Sequence, residues 1–285
     1  MLSGGPGAAR LRRAGVVGSP IGHSLSPLLH RAAYTALGLT GWSYHATDVP
    51  AGQLARHVAS LGPEWSGLSV TMPGKEEALE LADGVGEDAL LTGAANTLVR
   101  RQGGWWAENT DVHGLTAALA DAGLRGGGRA VLLGGGATAR SALVALEALG
   151  VTTVDVRVRD VLRAQTAELL DRLGLAWTVG RLADGVVALD RSVVDVVVST
   201  LPASADPPSM GQAAARPVVL DVVYAPWPSP FAQAVATAGE GRIPVVRGTG
   251  MLLHQAVRQV ELMTGQNGPV EAMRAALAEH GVAGA

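Results

Sequence analysis

The chain has no cysteine among its 285 residues, which excludes disulfides, thiolate nucleophiles and cysteine-ligated zinc. Redox chemistry in such a chain requires an external cofactor, and no metal site is expected. No block of like charges occurs either, and a formal net charge of −3 gives no electrostatic reason for nucleic acid or an anionic membrane to be a partner. A small molecule is the expected ligand. The mean hydropathy is positive because Ala, Val and Leu abound, yet Arg140 and Glu147 interrupt the most apolar helical segment before it reaches spanning length, so no transmembrane helix is expected. After the opening MLSGGPGAARLRR, Gly15, Gly18, Pro20 and His23 prevent a signal-peptide hydrophobic region, and a cytoplasmic protein, monomer or homodimer, is expected.

What is present points to an enzyme-sized α/β chain. Two domains are the default for this length, 48% hydrophobic content is enough for their cores, and 38 glycines imply many tight turns. From Val16 to about Asp111, short β-like runs such as WSYHAT and GLSVT alternate with helical stretches at Leu28–Leu37 and Ala51–Ser60. A helical piece at Thr116–Ala122 and the loop RGGGR lead to the apolar strand AVLL at Ala130–Leu133. VTTVDVRV, VVDVVVST and PVVLDVVY then read as strands, with RSALVALEAL and LRAQTAELLDRL as helices between them, which predicts a parallel doubly wound sheet. Helices at Thr249–Met263 and Pro269–Ala278 have no strand of their own to cover. The expectation is therefore a substrate-binding domain over 1–112, a Rossmann-like dinucleotide domain over 113–247, and helices over 248–285 that return to the first domain.

The strand AVLL runs into GGGATARSALVALEALG, placing Gly134, Gly136 and Ala139 in a GxGxxA arrangement at a strand-to-helix turn. Gly134 permits the tight turn, Gly136 lets the backbone approach a pyrophosphate, and Ala139 keeps helix and strand close. Three adjacent glycines also suit a merely flexible turn. Where NAD enzymes commonly offer an acidic residue to the ribose, this chain has Arg159, Asp160 and Arg163. Two guanidiniums favour the 2′-phosphate of NADP, while Asp160 keeps NAD possible.

In the first half, Ser24 and Ser26 precede Pro27, so Ser26 suits a helix N-cap and both hydroxyls suit a carboxylate ligand. Lys75 opens a helix after a Pro-Gly turn, where it opposes the macrodipole, although Glu76 and Glu77 offset that cost. Asn96, Asn109, Thr110 and Asp111 are short polar residues that suit turns as well as sugar-like hydroxyls.

The motifs SLSP, SVTMPGK, GAANT, ENTD, GGGATA, DVVYAPWPSP and GTGMLLHQA stand, from Ser24 to Ala256, in the order and spacing of shikimate dehydrogenases, which the chain resembles over nearly its whole length. The resemblance implies reversible NADPH-dependent reduction of 3-dehydroshikimate. It implies that Ser24 and Ser26 hold the substrate carboxylate, and that Thr71, Lys75, Asn96, Asp111 and Gln255 contact ring hydroxyls and the reacting oxygen. By the same resemblance Lys75 and Asp111 are catalytic, Tyr224, Val222 and Gly248 lie near substrate and nicotinamide, and Gly134, Gly135, Gly136, Ala137, Thr138, Ala139, Arg159 and Arg163 bind the cofactor. Burial weakens a lysine's hold on its proton and a carboxylate partner strengthens it, so Lys75 reads either as a general acid/base or as a charged hydrogen-bond donor. Four positions depart from the family's commonest form: Ser69 for Asn, Ala137 for Gly, VRDVLR for an Asn-Arg-Thr run, and Arg247 for Asp. A quinate or amino-substituted shikimate is the alternative substrate, and a cofactor sensor without catalysis is the alternative of another class.

Overall fold

The computed structural model describes residues 11–126, 128–212 and 216–282. The opening segment 1–10, read above for targeting signals, lies outside them. The first half contains β1 (Arg12–Gly18), α1 (Ser26–Ala36), β2 (Trp42–Asp48), α2 (Leu54–Ala59), β3 (Trp65–Val70), α3 (Lys75–Glu80), β4 (Gly84–Val85), α4 (Glu87–Thr92), β5 (Thr97–Arg101), β6 (Gly104–Glu108) and α5 (Thr110–Asp121). Then follow β7 (Arg129–Leu133), α6 (Ala137–Ala148), β8 (Thr153–Val158), α7 (Ala164–Arg172), β9 (Ala176–Arg181), β10 (Val186–Val187), β11 (Val196–Ser199), β12 (Ser209–Met210), β13 (Val218–Asp221), α8 (Pro230–Ala238), β14 (Val245–Arg247), α9 (Thr249–Thr264) and α10 (Val270–Glu279).

Strands β2-β1-β3-β5-β6-β4 form one mixed sheet, and β14-β13-β11-β7-β8-β9 form a second in which every pair is parallel. Read from β9, the second sheet has the doubly wound order 3-2-1-4-5-6, whose switch point lies between β7 and β11. Helices cover both faces of a parallel sheet, so its central strands are apolar on both sides, as in β11, where all four residues are buried. The first sheet departs from the all-parallel pattern because β5 runs against β3, and the tight turn through Gln102 (φ 47°) and Gly103 (φ 88°) then reverses the chain and makes β5–β6 antiparallel as well.

Helix α5 begins at Thr110, six residues earlier than its apolar spacing suggests, because Asn109 caps it: the Asn109 carboxamide oxygen accepts from Asp111 N at 3.0 Å. The last two helices return to the first half. Leu29 and Ala33 of α1 share a buried cluster with Leu253, Ala256 and Val260 of α9 and with Met273 and Leu277 of α10. That packing carries α9 back across the first sheet, and Gly265, in the left-handed conformation at φ 73°, ends it. No helix among the described residues is long and apolar enough to cross a membrane.

Candidate active site

Ser24, Ser26, Thr71, Lys75, Asn96, Asp111, Thr138, Val222, Tyr224, Gly248 and Gln255 line one cleft of about 250 Å³. They come from loops that leave β1, β3 and β13, from the loop that enters β5, from the opening turns of α1, α3, α5 and α6, and from the first half of α9 with the Gly248 that precedes it. Residues more than two hundred positions apart thus meet because strand ends and helix starts converge on the same edge of both sheets.

Lys75 is the first residue of α3, which follows Gly74 and has no side-chain cap. Its ammonium donates to Asp111 Oδ2 at 2.5 Å and lies 3.4 Å from Thr138 Oγ1, on the helix after the glycine loop. The lysine side chain is 16% exposed and that of Asp111 6%. The other Asp111 oxygen accepts from Asn96 Nδ2 at 2.8 Å, and the same amide reaches Gln255 Oε1 at 3.3 Å. Asn96 is fixed in turn because its Oδ1 accepts from Thr110 N at 2.8 Å, so a polar chain runs unbroken from α3 through α5 to α9. This is the only lysine in the sequence.

The expectation that Ser26 caps α1 is corrected. The helix starts at Ser26 itself, after Leu25, and makes no side-chain cap; Ser24 Oγ instead accepts from Ser26 N at 3.3 Å. With its backbone already inside the first turn, Ser26 lines the cleft, and its hydroxyl bonds the Tyr44 phenol rather than helical N–H groups. Tyr224 reaches the same wall, its phenol pushed above the ordinary range by burial.

Sequence reasoning did not single out Gln259, which lies one helical turn beyond Gln255 on the same face of α9; the i, i+4 spacing was the available signal. Its amide donates to Asn96 O at 3.2 Å and Thr97 Oγ1 at 2.9 Å, and its oxygen accepts from Ser69 Oγ at 2.6 Å. Ser69 also meets Tyr44 Oη at 2.6 Å. The smaller side chain at position 69 is therefore matched by Gln259 and Tyr44, which fill and hydrogen-bond the space beside it. Arg247, the departure beside Gly248, donates to the Tyr224 carbonyl at 2.8 Å.

Behind this floor His30 is fully buried, stacked on Tyr44 at 4.0 Å and 3.3 Å from Gln259 Oε1. Burial holds its pKa down to about 3, from an unfolded value of 6.5. A base that resists protonation only when folded stabilises the protein fully above pH 6.5, and that stability is lost as the pH falls from 6.5 toward 3. Denaturant midpoints taken at pH 7 and pH 5 are expected to show a loss from His30 of about 2 kcal/mol, at ~1.4 kcal/mol per pH unit. His30→Leu is expected to lack that increment; an equal pH dependence in both proteins refutes it.

The glycine loop fits a dinucleotide. Gly134 has φ 110°, and a Cβ there would stand 2.3 Å from Thr200 Oγ1 at the switch point, so only glycine suits it. Over Gly136 a Cβ would meet nothing within 4 Å, leaving open space before α6, whose first turn has no side-chain cap on its N–H groups. Gly135 lies between them, and Ala137, Thr138 and Ala139 form that first turn, with Ala139 buried against the sheet. Arg159 and Arg163 follow β8 but are not drawn into the cleft. Arg159 is 91% exposed and 3.7 Å from Asp160, and Arg163 lies 3.5 Å from Glu76.

Two family models match: the shikimate dehydrogenase substrate binding domain over residues 16–98 and the shikimate 5′-dehydrogenase C-terminal domain over 248–278. A shikimate dehydrogenase (NADP(+)) of Streptococcus pneumoniae is 32% identical over 283 residues, covering 94% of this chain and 96% of that one. The crystal structure of Mycobacterium tuberculosis shikimate dehydrogenase is 45% identical with a TM-score of 0.80, covering 94% of this chain and 99% of that one. A Thermus thermophilus shikimate 5-dehydrogenase solved with NADP(H) and shikimate is 29% identical, with a TM-score of 0.73 and coverage of 94% and 99%.

Proposed function

The chain belongs to the shikimate dehydrogenase family, and on that premise we propose that it catalyses the reversible NADP-dependent reduction of 3-dehydroshikimate to shikimate, a step toward chorismate and the aromatic amino acids. The observation that carries the reading is the polar chain Lys75–Asp111–Asn96–Gln255 opening on the same cleft as Thr138 of the glycine-loop helix.

Ser24 and Ser26 present hydroxyls to the substrate carboxylate at one end of the cleft. Thr71, Asn96, Asp111 and Gln255 face the ring hydroxyls from the other, which fixes the ring against Lys75. When bound, the nicotinamide supplies the hydride for ketone reduction and accepts it in the reverse direction. The first turn of α6, with Gly134 to Gly136, holds the pyrophosphate, and Val222, Tyr224 and Gly248 bound the space for the nicotinamide. Lys75 gives its proton to the carbonyl oxygen as negative charge develops there, and takes it back in oxidation. Asp111 keeps the ammonium aimed and accepts from a neighbouring ring hydroxyl. We place this chemistry in the cytoplasm, with which a cysteine-free chain is compatible, and in a monomer or homodimer.

Initial rates of the purified protein with shikimate and quinate, each with NADP and NAD, test the reading. Shikimate with NADP is expected to exceed quinate in kcat/KM by roughly tenfold or more, because a site built around particular hydroxyls rejects a ring that leaves them unmatched. No turnover of shikimate overturns the assignment, and a preference for quinate replaces the substrate.

A further inference from the structure

Building on the NADP reading, we propose that Glu76 sets the discrimination between NADP and NAD by competing with the cofactor 2′-phosphate for Arg163. Glu76 follows Lys75 in the first turn of α3, yet its carboxylate faces the cofactor half of the molecule. Its Oε1 accepts from Arg140 Nη2 at 2.7 Å and lies 3.5 Å from Arg163 Nη1. The two guanidiniums are unlike in every other respect.

Arg140 is 1% exposed and rises from α6 to bond the Thr92 and Gly93 carbonyls that end α4, with Nη1 buried and without a hydrogen-bond partner. Glu76 is 42% exposed, but its partner is fixed by those carbonyls, so Arg140 holds the carboxylate in place at 2.7 Å. Arg163 stands at the N-cap of α7 without a side-chain cap bond, is 62% exposed, and meets the carboxylate only at the outer limit of a hydrogen bond. It is the partner free to exchange. A 2′-phosphate, carrying up to two negative charges, is a stronger bidentate ligand for Arg163 than a carboxylate oxygen at that distance. Yet Arg163 can turn to it only by leaving the anchored charge of Glu76, which subtracts from what the phosphate gains. NAD, which has a hydroxyl there, meets no such opposition. Asp160, beside Arg159, has the same sign, but that pair is almost fully exposed and screened by solvent, so Glu76 carries the larger effect.

Titration of the full-length protein with NADP and with NAD, followed by calorimetry, tests this without depending on turnover. In Glu76→Gln the amide oxygen still accepts from Arg140 while the charge is gone, and the ratio of the NAD to the NADP dissociation constant is expected to rise about fivefold to tenfold. Arg163→Gln, at an exposed position, is expected to lower that ratio, and adding Glu76→Gln to it is expected to leave the ratio within about twofold. An unchanged ratio in Glu76→Gln, an equal shift for both cofactors, or an effect that persists without Arg163 overturns the proposal. A fall in the ratio also overturns it, because Glu76 would then hold Arg163 ready for the phosphate. Binding of neither cofactor by the wild-type protein refutes the cofactor reading itself, an outcome distinct from any of these.

Discussion

Replacing Lys75 with alanine is expected to lower kcat by roughly 10²- to 10⁴-fold, the range that a positioned acid or base contributes, while KM for shikimate changes much less. The expectation rests on the ammonium standing in the cleft 2.5 Å from Asp111 and on the sequence offering no second lysine to take its place. The proton must reach an oxygen that becomes anionic only in the transition state, so its loss weighs on kcat rather than on ground-state binding. Initial rates in both directions decide the matter. A variant with near-wild-type kcat and a raised KM would make Lys75 a binding residue only.

Asp111→Asn is expected to have the next largest effect, lowering kcat/KM by about 10²-fold or more. The replacement has nearly the same shape, but its amide offers one acceptor where Asp111 uses two, for Lys75 and for Asn96. The amide NH₂ must then face either an ammonium or another NH₂, and the lysine loses its counter-charge in a largely enclosed place. Both kcat and KM are expected to suffer, because Asp111 aims Lys75 and also faces the ring. Since the two residues act as a unit, the double variant Lys75→Ala with Asp111→Asn should be scarcely worse than Lys75→Ala alone. Independent, additive losses would separate their roles and contradict the coupling.

Much of this arrangement could be read from the sequence because its chemistry sits where periodicity changes. The glycines after AVLL, the Pro-Gly turn before Lys75 and the polar run before α9 each mark a strand end or helix start, and such points converge in an α/β fold. Less legible was anything decided by the same residue types serving two purposes. Asn109 suits a turn and a helix cap equally, and its choice of cap moved the start of α5 and put Asp111 in a helix. Ser26 suits a helix cap and a ligand site alike, and its place in the first turn of α1, lining the cleft, leaves it without the capping role. Arg140, within the apolar stretch of α6, gives no local sign that it crosses to Thr92 and Glu76, since that contact spans elements far apart in sequence. The Ser69–Gln259 pair is hidden for the same reason, being 190 positions apart.

A chain with no cysteine and one lysine allows the central claim, that Lys75 acts by transferring a proton, to be tested at a single atom. Lys75→Cys removes the only ε-amine and installs the only thiol. Alkylation with 2-bromoethylamine then restores an ammonium on a chain of nearly lysine length, whereas (2-bromoethyl)trimethylammonium restores the charge without a transferable proton. The unmodified variant is expected to be nearly inactive, the aminoethylated protein to recover roughly a tenth or more of wild-type kcat, and the trimethylated one to recover none. Recovery with the fixed charge alone would contradict the account and leave Lys75 an electrostatic residue.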